Sequence, residues 1–224
     1  MNRGRLSRSG GVVLIAVLLG STLSLAGCTH AVDGRPTAGP TRAAPGSPDQ
    51  LEALIVGDVP SGLPRLPDSE LQPPAGVKWA DDVAEYADDP ARERQVLEDY
   101  GYRFGWERFW GSDAGPVTSV FVDQFEHRAG AGAYAEDLAR NDAGAYRGML
   151  RENPPQLPAG CRLLTVDEAQ PEAGLSGPAA FVWCTHGLFS VSVTAVGDSV
   201  DAAEEEVRAV LALQLDRLPP RGGR

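Results

Sequence analysis

Alternating hydrophobic and polar positions predict two β-strands in the middle of the chain. Residues 102–110 place four aromatic side chains on one parity, at Tyr102, Phe104, Trp106 and Trp110. This period of two is typical of a strand. A second strand is predicted over residues 117–125, after a Gly-containing turn at residues 111–115. The short connection indicates that the two strands form a hairpin.

The same patterns predict the rest of one domain. Three further strands are predicted over residues 161–166, 177–184 and 188–196. Apolar residues at helical spacing predict helices over residues 80–86, 91–100, 129–141 and 202–218. Hairpin connections outnumber βαβ crossovers. We therefore expect an α+β fold, a mostly antiparallel five-stranded sheet with helices packed on one face, in the order ββα-βββα.

The N-terminal segment has the layout of a secretory signal. Residues 1–11 carry three arginines and no acid, residues 12–25 are mostly apolar, and the segment ends in Leu25-Ala26-Gly27-Cys28. This ending resembles the lipobox of bacterial lipoproteins. The resemblance implies that residues 1–27 are removed and that Cys28 carries a diacylglycerol, which anchors the protein on the extracytoplasmic face of the cell membrane. The alternatives are an ordinary secretory signal or an uncleaved anchor, although a membrane span needs roughly 20 apolar residues.

Composition divides the remaining chain. Residues 28–49 are rich in Pro, Gly and Ala and show no apolar periodicity, which predicts a flexible tether. Residues 50–219 are long enough for a single domain with its own core. Residues 220–224 are expected to form a loose tail.

Two cysteines remain once Cys28 takes the lipid. Cys161 and Cys184 would lie in an oxidising compartment, so we predict that they form a disulfide. Neither has a further ligand at the spacing of a structural zinc site, and no metal is predicted.

Charge and composition limit the partners. The formal net charge is −11, which argues against nucleic acid because its binding depends on cationic contacts with phosphate. Lys78 is the only lysine among 20 basic residues. Together with the lipobox, this bias towards arginine suggests the GC-rich genome of an actinobacterium.

No motif in the sequence predicts catalysis. Gly130-Ala-Gly132-Ala-Tyr-Ala135 matches G-x-G-x-x-A, but no parallel βαβ unit follows, so no dinucleotide cofactor is expected. His30, His127 and His186 pair at no metal-ligand spacing. We therefore predict no catalytic residues, no cofactor and no enzymatic activity.

The aromatic cluster of residues 100–110 is the best candidate for function. Phe109 has the opposite parity to Trp106 and Trp110, so these side chains leave the strand on different faces. One interpretation is a core on both sides of the strand. The other is a hydrophobic groove for an apolar ligand, with Trp106, Phe109 and Trp110 as its binding residues.

The domain is similar to a group of actinobacterial cell-envelope lipoproteins of uncharacterised function. The resemblance covers residues 80–219 and depends on a motif of the form GYxxGWERxW at residues 101–110 and on the closing helix. It implies an envelope domain without catalytic residues. Two functions remain open: a binding module for an apolar envelope ligand, and a protein-interaction or assembly module. A cavity lined by one of the three aromatic residues favours the first, and a flat exposed apolar patch favours the second.

The lipobox yields a direct test. Replacing Cys28 with Ala removes the thiol that would carry the lipid, so we expect the variant to lose both labelling by a radioactive or clickable fatty acid and its retention in the membrane fraction. A variant that stays labelled and membrane-bound would show that the anchor lies elsewhere.

Overall fold

A computed structural model describes residues 43–112 and 115–220 of the chain. Its strands are β1 (Gly76–Lys78), β2 (Tyr102–Gly111), β3 (Val117–Phe125), β4 (Met149–Glu152), β5 (Cys161–Val166), β6 (Ala179–His186) and β7 (Phe189–Val196). They form one seven-stranded sheet in the order β1-β2-β3-β7-β6-β5-β4, and all neighbouring strands are antiparallel.

The α+β class is confirmed, but the prediction of five strands is wrong. The five expected strands are present, and the sheet is extended by β1 and β4 at its two edges. These strands have three and four residues, which is too short for alternation to be recognised. Prolines precede β1, and Arg147, with a φ of 49°, precedes β4. The surrounding residues therefore indicate a loop in both places.

The helices cover both faces of the sheet, so the expectation of a single helical face is also wrong. The helices are α1 (Pro48–Glu52), α2 (Ala80–Ala84), α3 (Pro90–Asp99), α4 (Arg128–Tyr146) and α5 (Val200–Arg217). In β6, Val182 packs in one core with α5, and its neighbour Phe181 packs in another core with α4. We call these two sides the α5 face and the α4 face. The uninterrupted apolar run of residues 179–184 is the pattern of a strand buried on both faces.

An irregular segment covers the α5 face beside α5. Residues 45–66, which we call the N-terminal strap, contain α1 and contribute Leu51, Ile55 and Val56 to the core. Gln214 of α5 is fully buried; its Oε1 accepts from the Val56 amide at 3.0 Å, and its Nε2 donates to the Leu54 carbonyl at 3.0 Å. The buried backbone of the strap thus has side-chain partners, as a segment without regular structure requires.

Strand β2 and its neighbour β3 also hold the strap. Arg108 Nη1 donates to the Val56 carbonyl at 2.9 Å, and Trp110 Nε1 donates to the Gly57 carbonyl at 3.1 Å. Gln124 Nε2 donates to the Pro45 carbonyl at 3.0 Å. Residues 45–49, which the composition assigns to the tether, are therefore part of the packed domain.

The predicted disulfide between Cys161 and Cys184 is present. The two residues are direct neighbours across β5 and β6, with their Cα atoms 4.2 Å apart, and both are buried on the α5 face. Cys28, the rest of the lipobox, most of the tether and residues 221–224 lie outside the described residues. Among the residues that are described, none of the helices is long and apolar enough to cross a membrane.

Candidate ligand-binding site

The alternation of β2 separates the three aromatic candidates. Trp106 and Trp110 are buried on the α5 face, in the same core as the strap. Phe109 lies on the α4 face, where its ring meets that of Phe121 edge-on at a centroid distance of 5.5 Å. The structure therefore does not bring Trp106, Phe109 and Trp110 together into one site.

Phe109 lines a pocket of about 270 Å³ on the α4 face, which we call the Phe109 pocket. Its lining residues are Leu71, Gln72, Pro73, Tyr86, Glu107, Phe109 and Phe121. Strands β2 and β3 form the floor, and the loop before β1 and the turn after α2 form the walls. Because Gln72, Pro73 and Tyr86 are exposed, the pocket is connected to solvent.

Glu107 places a carboxylate in this otherwise mostly apolar wall. Glu107 is only 3% exposed. Oε2 accepts from Lys78 Nζ at 3.2 Å and from the Tyr86 hydroxyl at 3.1 Å. Burial raises the pKa of Glu107. Lys78 and Tyr86 lower it by less, so the net pKa is raised.

Lys78 supplies the countercharge from behind Glu107. It is 4% exposed, and Nζ donates to the Pro74 carbonyl at 2.5 Å as well as to Glu107. Nζ also lies 5.4 Å from the centroid of the Tyr86 ring. Burial lowers the pKa of Lys78, but the interactions with Tyr86 and Glu107 outweigh burial, and the net pKa is raised. The ammonium therefore stays charged next to the carboxylate.

A second buried carboxyl lies behind the pocket on the same face. Asp123 Oδ1 is 3.1 Å from the Tyr102 hydroxyl, which is itself 3.2 Å from the Lys78 carbonyl. Gly105 lies opposite Asp123, and a Cβ at Gly105 would be 2.2 Å from Asp123 Oδ1. A glycine is needed there to admit the carboxyl. Burial raises the pKa of Asp123 to about 7, with the Tyr102 hydrogen bond opposing the shift and Glu107 adding to it.

The sequence pattern singled out Phe109, which lines the pocket, but it did not predict the polar residues around it. Lys78, Tyr86 and Glu107 belong to three separate elements, and only the fold brings them together. Two signals were available: Glu107 lies in a strand whose neighbours are aromatic, and Lys78 is the only lysine in the chain. A charged side chain in a strand buried on both faces must have a partner.

A larger depression of about 790 Å³ lies at the start of α5. It is lined by Arg151, Asp201, Glu204, Glu205, Arg208 and Ala209. Glu204 forms ion pairs with both Arg151 and Arg208. Because this lining is charged and its arginines are already paired, the depression is a poorer candidate for an apolar ligand than the Phe109 pocket.

Two of the other motifs have structural roles. A Cβ at Gly130 would lie 1.8 Å from the Tyr100 carbonyl oxygen, so this glycine permits the close approach of α4 to the end of α3. His186 is buried at the end of β6 and lies 2.8 Å from the Pro219 carbonyl. Within the described ranges, no group of three His, Cys, Asp or Glu side chains could hold a metal ion.

Comparison with known proteins gives little further information. No protein-family model matches the chain, and no curated protein matches it. Among solved structures, the chain is similar to the extracellular domain of PknH from Mycobacterium tuberculosis, with 14% identity and a TM-score of 0.44. The match covers 77% of this chain and 96% of that one. A similarity this weak gives no information about function, so any function must be inferred from the geometry of the pocket.

The buried Asp123 predicts how stability varies with pH. Its pKa is raised from an ordinary 3.8 to about 7 in the folded state, so the folded protein retains a proton that the unfolded chain releases. The free energy of unfolding should therefore fall as pH rises from about 4 to about 7, by at most about 4 kcal/mol at 1.36 kcal/mol per pKa unit. Asp123→Asn cannot ionise and should lack this part of the fall in urea denaturation. The exposed Asp167→Asn is the matched control, and an Asp123→Asn curve parallel to that of the unmodified protein would contradict the assignment.

Proposed function

We propose that this protein is a membrane-anchored, extracytoplasmic lipoprotein whose domain is a non-catalytic binding module for an apolar ligand. The observation that carries the proposal is the Phe109 pocket, which is solvent-connected and walled by aromatic and aliphatic side chains. Small-molecule sites in proteins are concave and mostly apolar, with a few polar groups that fix orientation. The Phe109 pocket has these properties.

The location is supported by the sequence and by one feature of the fold. Residues 1–28 have the layout of a lipoprotein signal that ends in a cysteine. The Cys161–Cys184 disulfide is typical of an oxidising compartment. In this arrangement the domain would bind its ligand next to the membrane on the outer side.

The size of the pocket limits the ligand. Typical small-molecule sites have volumes of about 300–1,000 Å³, and the Phe109 pocket, at about 270 Å³, is slightly smaller than that range. It suits a small apolar molecule, or one short chain or ring of a larger one.

An assembly module is the second candidate, and one observation favours it. Val77 in the edge strand β1 is 39% exposed, and the adjacent Trp79 is 50% exposed. Exposed apolar side chains beside an edge strand are a common feature of protein-interaction surfaces. Trp79 lies outside the Phe109 pocket, so the two functions can be tested separately.

Native mass spectrometry distinguishes the two candidates. The mature chain from residue 29 onward is exported through an ordinary secretory signal in an envelope-bearing bacterium and purified without detergent. We expect a co-purifying small molecule that is lost in Phe109→Ala, because that change removes one wall of the pocket and weakens binding by about tenfold or more. Trp79→Ala, an aromatic change outside the pocket, should retain the ligand.

The opposite result would support assembly. A bare mass in the unmodified protein, together with cross-links to an envelope protein that Trp79→Ala abolishes, would replace the binding proposal. Melting curves of both variants show whether each is folded.

A further inference from the structure

We propose that the Phe109 pocket selects an apolar molecule that carries a hydroxyl or amine as a hydrogen-bond donor, and that it rejects the corresponding carboxylate. This inference rests on the proposed function, that the pocket binds an apolar ligand. It adds the chemical class of the polar group that the ligand presents.

The first step is the identity of the polar group in the wall. Among the described residues that line the pocket, Glu107 alone carries a charge. The other polar side chains among these described lining residues are the Gln72 amide and the Tyr86 hydroxyl, and the hydroxyl is already directed to Glu107. A ligand that enters the pocket therefore meets a carboxylate.

The second step is which atom of Glu107 is available. Oε2 accepts hydrogen bonds from Lys78 and Tyr86. Within the described part of the chain, Oε1 receives no hydrogen bond. Because a carboxylate has acceptor sites on both oxygens, Oε1 can accept from a ligand. Glu107 is only 3% exposed, so Oε1 is largely shielded from water and gains from a ligand group that donates a hydrogen bond.

The third step explains why an anion is excluded although a lysine is near. Lys78 is not among the residues that line the pocket, and its Nζ is engaged by Glu107 and by the Pro74 carbonyl. The ammonium thus compensates the charge of Glu107 from behind and is not presented to the pocket. An anionic ligand would face the carboxylate oxygen at short range in a partly desolvated site, where like charges repel strongly.

The aromatic walls add to the preference for a donor. The rings of Tyr86, Phe109 and Phe121 all contribute to the lining. Ring faces attract cations through their quadrupole, so a protonated amine gains from the walls as well as from Glu107. A hydroxyl gains the hydrogen bond alone, with a smaller desolvation cost than a charged group.

The test uses three probes with the same short chain and different head groups: octan-1-ol, octylamine and octanoate. The mature chain from residue 29, which retains every residue that the structure describes, is labelled with ¹⁵N and titrated with each probe at about pH 8 by NMR. We expect octan-1-ol and octylamine to bind at least about tenfold more tightly than octanoate.

Variants of Glu107 test whether this residue causes the preference for a hydrogen-bond donor over a carboxylate. In Glu107→Gln the side-chain amide both donates and accepts, so the ratio between octan-1-ol and octanoate should fall below about threefold. Glu98→Gln, an exposed acid on α3 outside the pocket, should keep the ratio of the unmodified protein. Because Glu107→Gln leaves Lys78 buried without its countercharge, the double variant Lys78→Met/Glu107→Gln provides a second test in which neither member of this ion pair carries a charge.

The outcomes separate this inference from the function on which it rests. If octanoate binds as tightly as octan-1-ol, or if Glu107→Gln and the double variant both keep the tenfold ratio, the inference is overturned; loss of binding in Phe109→Ala would then still support an apolar pocket. If none of the three probes binds, both the selectivity and the apolar binding site are overturned.

Discussion

Successive side chains of a strand point to opposite faces, and most of β2 is buried on both of its faces. Arg108 and Trp110 therefore point to the α5 face, where they donate to carbonyls of the N-terminal strap. Glu107 and Phe109 point to the α4 face, where they line the pocket. One strand thus holds the irregular N-terminal segment in place and forms part of the floor of the Phe109 pocket.

The end of the strap and the chain that follows it connect the two faces. The Gly111 amide donates to the Pro64 carbonyl and the Leu66 amide to the Phe109 carbonyl, at 2.8 and 2.9 Å. These bonds fix residues 64–66 along the edge of β2, and residues 71–73 then form a wall of the pocket. Residues 71–73 follow the strap along the chain, so the pocket wall and the strap belong to one continuous stretch of chain that β2 holds in place.

The sequence could predict those parts of the structure that have a clear local pattern. The β2–β3 hairpin has clear alternation, and the disulfide follows from the two cysteines left after Cys28. The edge strands could not be predicted, because three or four residues form a strand only when a longer neighbour provides hydrogen bonds. The parity of Phe109 indicated a second face, but the pairing of Glu107 with Lys78 depends on β1 lying against β2. Each of the two buried ions is stable only when the other is present, and no local sequence pattern predicts that they pair.

We infer that an apolar ligand would lie against Phe109 and Glu107 on the α4 face. Intermolecular NOEs between octan-1-ol and the aromatic protons of the protein locate a bound molecule directly. We expect NOEs from the methylenes of the alkyl chain to the rings of Phe109 and Phe121. The methylene that carries the hydroxyl should lie closest to Glu107. NOEs confined to Trp79 would place the apolar contact at the sheet edge and contradict binding in the Phe109 pocket.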